Sequence, residues 1–253
     1  MLGKQLVVNN LLLNYLEQKV SDTAQTVVFL HGWKASVEIW KPIIERLLRS
    51  PRNDKTLNIY ALDLPGFGKS EMPKQAMTVG DYAGIVNEFL AKLGLKNIIL
   101  VGHSFGGRIA QKCSAEHLLT IEKLILVDSA GFKDESWGKM IKIAAAKIAK
   151  PFVPAGLKNK LSKAVGAEDY ADSGELKQTF LNTINEDQTE DIKKIAVPTL
   201  IIWGADDTAT PVEFGRRMNS LIRNSKLEIL PQAGHYSFLD KPDEFLKLLV
   251  DFI

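Results

Sequence analysis

Cysteine is nearly missing: Cys113 is the one thiol in 253 residues. That excludes an intramolecular disulfide and any site built on several cysteine ligands, and it points to a reducing compartment in which the thiol is a small core residue. Long apolar runs are absent too, since none approaches the ~18 residues needed to cross a bilayer. The start, Met1 to Val8, lacks a basic stretch followed by a sustained apolar segment and a small-residue cleavage site. The expectation is a soluble, cytoplasmic protein with no membrane span. Net charge is slight, with 32 Lys and Arg against 30 Asp and Glu, so no nucleic-acid footprint is expected unless the basic residues cluster. There is no internal repeat or low-complexity tract. With 45% hydrophobic residues, 18 Gly and 10 Pro, disordered, collagen-like and coiled-coil readings fail, and the chain can bury a sizeable core.

What is present is an alternation. Gln5 to Val8 and Leu11 to Tyr15 flank Asn9-Asn10, two residues that tolerate the positive φ of a tight hairpin, so an antiparallel pair is expected to open the fold. Near-continuous apolar runs follow at Val27 to Leu30, Ile59 to Leu62, Ile98 to Val101, Leu124 to Val127, Leu200 to Trp203 and Leu227 to Leu230, as expected of strands buried on both faces. Amphipathic stretches around Trp40 to Leu48, Tyr82 to Leu93, Arg108 to His117, Val212 to Leu221 and Phe245 to Phe252 are long enough for crossover helices. This is the pattern of an α/β fold with a mostly parallel central sheet and flanking helices. Residues 133–196 interrupt it. Trp137, Met140, Ile141, Ala144 and Ile148 recur there at helical spacing until Pro151 and Pro154 stop the helix. The expected organisation is a core of residues 1–132 and 197–253 with an inserted helical cap, 133–196.

The strongest chemical signal is Gly102-His103-Ser104-Phe105-Gly106-Gly107, which joins the strand Ile98 to Val101 to a helical stretch. Strand, G-x-S-x-G, helix is the context of a nucleophile elbow. The glycines let backbone pass close to a strained seryl residue, and the N–H groups at the helix start favour developing negative charge.

A serine hydroxyl needs a base to take its proton. Of four histidines, His31 and His103 sit inside glycine-rich turns, and His117 follows the elbow helix. His235 lies just past the strand Leu227 to Leu230, at the strand edge where open α/β sheets place their sites. The base in turn needs a carboxylate. Asp206 and Asp207 follow Trp203-Gly204-Ala205, and Asp128 follows Leu124 to Val127. Each of the three could reach the same edge, and the physics of the sequence does not separate them.

These residues resemble the α/β-hydrolase superfamily over essentially the whole chain. His31-Gly32-Trp33 is similar to its oxyanion loop, Asp63-Leu64-Pro65-Gly66-Phe67-Gly68-Lys69-Ser70 to a structural D-x-P-G-x-G-x-S turn, and Gly102 to Gly107 to its elbow. The resemblance implies Ser104, Asp207 and His235 as catalytic residues, with Asp207 chosen by the family's G-x-x-D pattern. It also implies Trp33 and Phe105 as backbone oxyanion donors. The implied activity is that of a small-cap serine carboxylesterase, acting on a small-molecule ester through an acyl-enzyme and needing no metal or organic cofactor. The pimeloyl-carrier-protein methyl esterases share the H-G-W loop.

Two other functions compete on the same fold. Arg108 completes an S-x-G-G-R run that resembles a menaquinone-pathway carbon-oxygen lyase, a reaction that needs several cationic groups; its plainer reading is a solvated or salt-bridged helix residue. A non-hydrolytic small-molecule receptor is the other. Finally, Lys139, Lys142, Lys147 and Lys150 fall opposite the apolar stripe of the cap. Such a row could recruit an anionic substrate or an acidic carrier protein, although a solvated face balanced by residues 164–191, which hold one Lys against eight Asp and Glu, ranks ahead of that reading.

Overall fold

The computed structural model describes residues 1–49, 57–116, 121–133 and 173–253. Eight strands form one sheet: β1 Leu2–Val8, β2 Leu11–Gln18, β3 Gln25–Leu30, β4 Leu57–Leu62, β5 Ile98–His103, β6 Ile121–Val127, β7 Thr199–Gly204 and β8 Ser225–Leu230, in the spatial order β1-β2-β4-β3-β5-β6-β7-β8. The hairpin turn sits where Asn9-Asn10 places it, with φ of 47° and 63°. β1 and β2 pair antiparallel, as do β2 and β4, and every other pairing is parallel.

The central strands are mostly apolar because both faces are covered. In β3, Val28 and Leu30 join the core beneath α2 (Val79–Lys92), α3 (Phe105–Ala115) and α6 (Val212–Leu221). Val27 and Phe29 point to the opposite core beneath α1 (Lys41–Arg49) and α8 (Pro242–Phe252). This is the period-2 consequence of strand geometry with helices on both sides. β8 departs from the expectation of two buried faces. Only Leu230 is fully buried in it, because β8 is an edge strand with β7 as its one neighbour.

Helix starts are locally encoded. Thr78 and Asp81 form a reciprocal capping box at α2, and Pro242 occupies the first turn of α8, where a missing N–H costs nothing. Between β6 and β7 lie α4 (Lys177–Asn185) and α5 (Thr189–Lys194). The expected helix through Trp137 and Ile148, its lysine row and His117 lie outside the described residues.

Strand order reverses around β3, which has β4 on one side and β5 on the other. Chain leaving the carboxyl ends of β3 and β5 therefore parts there, which leaves a crevice of the kind open α/β sheets use for ligands.

Candidate active site

Ser104 stands between β5 and α3 with φ 52° and ψ −111°, a strained conformation for any residue but glycine. Its backbone is tied on both sides. The Ser104 N–H donates to Val127 O (3.0 Å), and its carbonyl accepts from the N–H groups of Gly107 (3.0 Å) and Ala130 (3.2 Å). The glycines of the motif are required by close approach. A Cβ on Gly102 would lie 2.5 Å from Gly106 O, and one on Gly106 would lie 2.5 Å from Leu30 O.

His235 and Asp207 come to this serine from the loops after β8 and β7. His235 Nε2 is 3.0 Å from Ser104 Oγ, and His235 Nδ1 is 2.9 Å from Asp207 Oδ2. The tautomer that fits donates Nδ1–H to the carboxylate and leaves Nε2 to accept from the hydroxyl. Asp207 is held in turn. Its Oδ1 accepts the N–H groups of Ala209 (2.8 Å) and Thr210 (2.9 Å), and its Oδ2 lies 2.7 Å from Thr210 Oγ1. Thr210 had no place in the sequence reading, although an acid followed by threonine three residues later is a recognisable self-bonding turn.

The other two acids do not meet the imidazole. Asp206 is exposed. Asp128 is fully buried and gives its carboxylate to the N–H of Gly204 (2.7 Å) and to the N–H (3.1 Å) and hydroxyl (2.6 Å) of Ser237. Burial outweighs these bonds and pushes its pKa up to about 7.

The remaining described histidines are buried and neutral. His31 donates from Nδ1 to Gly32 O (2.7 Å) and accepts the Leu64 N–H at Nε2 (3.0 Å), with burial lowering its pKa to about 4. His103 donates from Nε2 to the carbonyl of His235 (2.8 Å). Burial holds its pKa well below the ordinary value, and its ring lies 4.9 Å from that of His235.

Phe105 opens α3, so its N–H is one of those with no partner inside the helix. Trp33 follows Gly32, where a Cβ would lie 2.8 Å from His103 Nδ1. The rings of Trp33 and Phe105 meet edge-on at 5.2 Å. With Phe132, Phe180, Ile184 and Phe214 they line an apolar pocket that opens onto Ser104 and His235.

Arg108 also reaches this pocket, but it is not solvated, and it has no salt-bridge partner among the described residues. It is 4% exposed and donates to Glu186 O (2.8 Å), Gln188 Oε1 (3.3 Å) and Phe132 O (3.1 Å). It thus ties together chain that leaves β6 and chain that returns toward β7, and burial lowers its pKa to about 10. The Asp63 turn is a hydrogen-bonded knot: its carboxylate accepts from the N–H groups of Val37 and Lys69 and from the Asn14 amide. Cys113 is fully buried in the core.

The family model described as the alpha/beta hydrolase family matches residues 27–248. The chain belongs to the alpha/beta hydrolase family. Among curated relatives, this hydrolase is 29% identical to the uncharacterized hydrolase YugF of Bacillus subtilis (strain 168), over 94% of this chain and 93% of that one. It is 26% identical to the 2-hydroxy-6-oxo-6-(2'-aminophenyl)hexa-2,4-dienoic acid hydrolase of Metapseudomonas resinovorans, over 94% and 86%. Among solved structures, the esterase EaEST from Exiguobacterium antarcticum is similar with a TM-score of 0.79 at 26% identity, covering 99% of each chain. No helix among the described residues is long and apolar enough to cross a membrane.

Proposed function

We propose that this alpha/beta hydrolase cleaves carboxylic esters through an acyl-enzyme on Ser104. The observation that carries the proposal is the unbroken hydrogen-bond chain from Asp207 through His235 to Ser104, set at the mouth of an apolar pocket. Ser104 Oγ attacks the ester carbonyl while His235 Nε2 takes its proton. The N–H groups of Phe105 and Trp33 face the oxyanion, and the imidazolium, stabilised by Asp207, protonates the departing alcohol. Water then repeats the sequence on the acyl-enzyme and releases the acid.

A small-molecule ester with an apolar acyl group suits the pocket. Residues 133–196 act as its cap, of which Phe180, Thr183 and Ile184 stand in the pocket wall. Recruitment of an anionic or carrier-borne substrate rests on the lysine row outside the described residues. The buried lone thiol fits a cytoplasmic site of action.

A panel of activated esters of increasing acyl length, run with the native chain and with Ser104→Ala, tests the reading. Turnover that vanishes in the variant is expected, best on short to medium chains. The lyase alternative asks for several cations, and Arg108 is the one lysine or arginine among the described residues of the pocket. An intact chain of hydrogen bonds on the serine favours turnover over a receptor.

A further inference from the structure

The hydrogen bonds that carry the proposed chemistry join two loops, and a third group bonds to both of them. Asp207 sits on the loop after β7 and His235 on the loop after β8. The two loops are packed closely at their roots: a Cβ on Gly204 would lie 2.2 Å from Gly234 O, Ala205 N–H donates to Leu230 O at 2.9 Å, and Asp206 N–H donates to Ala233 O at 2.9 Å. Further along they meet again at His235, whose Nδ1 faces Asp207 Oδ2 and Thr210 Oγ1, and the carboxylate of Asp128 bridges both loops from the end of β6. Its Oδ1 accepts the N–H of Gly204, at the root of the acid-bearing loop (2.7 Å). Its Oδ2 accepts the N–H and the hydroxyl of Ser237, two residues past His235 and the first residue of α7 (Ser237–Asp240).

The backbone of Asp128 serves the same two loops. The Thr210 hydroxyl, 2.7 Å from Asp207 Oδ2, is also 3.0 Å from Asp128 O and 3.3 Å from His235 Nδ1. From β5, His103 donates to the backbone carbonyl of His235. The base is therefore gripped through its own residue from β5 and through its loop from β6.

Asp128 carries costs that packing alone does not require. It is a carboxylate with no exposure to water, no cation within salt-bridge distance among the described residues and a φ of +44°. Taking a carboxyl group out of water beside no cation is unfavourable, and a left-handed φ outside glycine adds backbone strain. A hydrophobic side chain would avoid the first cost, but it would leave three buried donors unpaired.

We propose that Asp128, acting with Ser237, is a positioning residue that sets the separation of the two loops and with it the alignment of Asp207, His235 and Ser104. Asp128 acts through His235 and makes no contact with the reacting atoms. The role rests on the ester-hydrolase reading for its kinetic consequence and on geometry alone for its effect on the imidazole. In Asp128→Asn one of the two acceptor oxygens becomes an NH2 group, so either the Gly204 N–H or the two Ser237 donors lose their acceptor and the bridge between the loops is broken on one side. In Ser237→Ala the same bridge loses the Ser237 hydroxyl while Asp128 stays.

The experiment has two arms. The first measures kcat and KM of Asp128→Asn and Ser237→Ala in the native chain and in Asp207→Asn. Both should lower kcat, Asp128→Asn by at least about tenfold, with KM little changed, since a misplaced base affects the transition state more than substrate binding. In the Asp207→Asn background Asp128→Asn should add less than about threefold, because both residues act through one imidazole. The second arm follows the proton resonance of His235 Nδ1–H, which reads the hydrogen bond to Asp207 whether or not the chain turns over any ester. It should shift or broaden in Asp128→Asn and, to a lesser degree, in Ser237→Ala.

An unchanged resonance in both variants overturns the positioning role outright. So do losses that multiply fully in the double variant, or a fall in thermal stability with kcat untouched. Failure of the ester-hydrolase reading looks different: the native chain hydrolyses nothing, and the resonance arm still decides for or against Asp128.

Discussion

Asp207 Oδ2 stands 2.9 Å from His235 Nδ1, whereas Asp128, which follows the neighbouring strand, spends its carboxylate on Gly204 and Ser237. Three acids follow neighbouring strands, and one touches the imidazole. Asp207→Asn should therefore lower kcat by on the order of 10³ or more with KM nearly constant, because the amide favours the wrong tautomer of the base. Asp206→Asn, at an exposed position, should leave turnover within about twofold. Steady-state kinetics on one activated ester checks both, and an active Asp207→Asn beside a crippled Asp206→Asn would reverse the assignment.

Asp128 also predicts a pH signature in stability. Its pKa is about 7 in the folded chain and 3.8 when unperturbed. The folded chain keeps a proton that the unfolded chain releases across that window, so this group makes stability fall as pH rises from about 4 to 7. Buried His31 does the opposite. Its pKa is about 4 folded and 6.5 unperturbed, and His103 shifts in the same direction, so their contribution is lost as pH falls from 6.5 toward 4. In Asp128→Asn only the histidine effect remains. Its Tm should climb more steeply with pH over this range than that of the native chain, by calorimetric or circular-dichroism melts. Parallel curves would mean that Asp128 does not hold its proton as the burial implies.

Two glycines should respond in opposite directions to the same change. A Cβ on Gly106 would lie 2.5 Å from Leu30 O and 2.6 Å from His31 O, both backbone atoms that move only with the strand and the loop carrying Trp33. Gly106→Ala should cost about 1–3 kcal/mol or more and displace Ser104. Gly84, inside α2 and exposed, has nothing within 4 Å of the added carbon. Gly84→Ala should stabilise by about 0.5–1 kcal/mol, the ordinary helix-interior gain. Urea midpoints measure both.

Arg108 is a structural donor to three oxygens, Glu186 O, Gln188 Oε1 and Phe132 O. Arg108→Met keeps the stem and removes the guanidinium donors, so the buried acceptors Gln188 Oε1 and Phe132 O lose a partner at about 1–3 kcal/mol each. The expected outcome is a lower urea midpoint. An unchanged midpoint would show that these contacts carry no weight.

The strands were legible because apolar, β-branched runs leave few alternatives between turn residues, and the hairpin because Asn9 and Asn10 accept φ values of 47° and 63°. Ser104 was legible because the elbow motif is contiguous in sequence: Gly102 answers a steric demand four residues on, at Gly106 O, and Gly106 one made by the neighbouring strand at Leu30 O. The burial of β8 was not, since its pattern of Leu227, Ile229 and Leu230 is that of a central strand and only its place at the sheet edge decides otherwise. The three acids could not be ranked from local physics, because what separates Asp207 from Asp128 is which loop turns toward His235. Arg108 was the hardest to read. A helix position one turn past the elbow gives no hint that carbonyls 78 positions away will close over it.

The most direct test of the account is ester turnover with and without the Ser104 hydroxyl. Initial rates on a short-chain activated ester should show saturable hydrolysis by the native chain, and Ser104→Ala, with an unchanged fold by circular dichroism, should fall to a small residual, on the order of 10³-fold lower or more. Hydrolysis that survives Ser104→Ala at the native rate, or a native chain with no turnover on any ester of the panel, would contradict it.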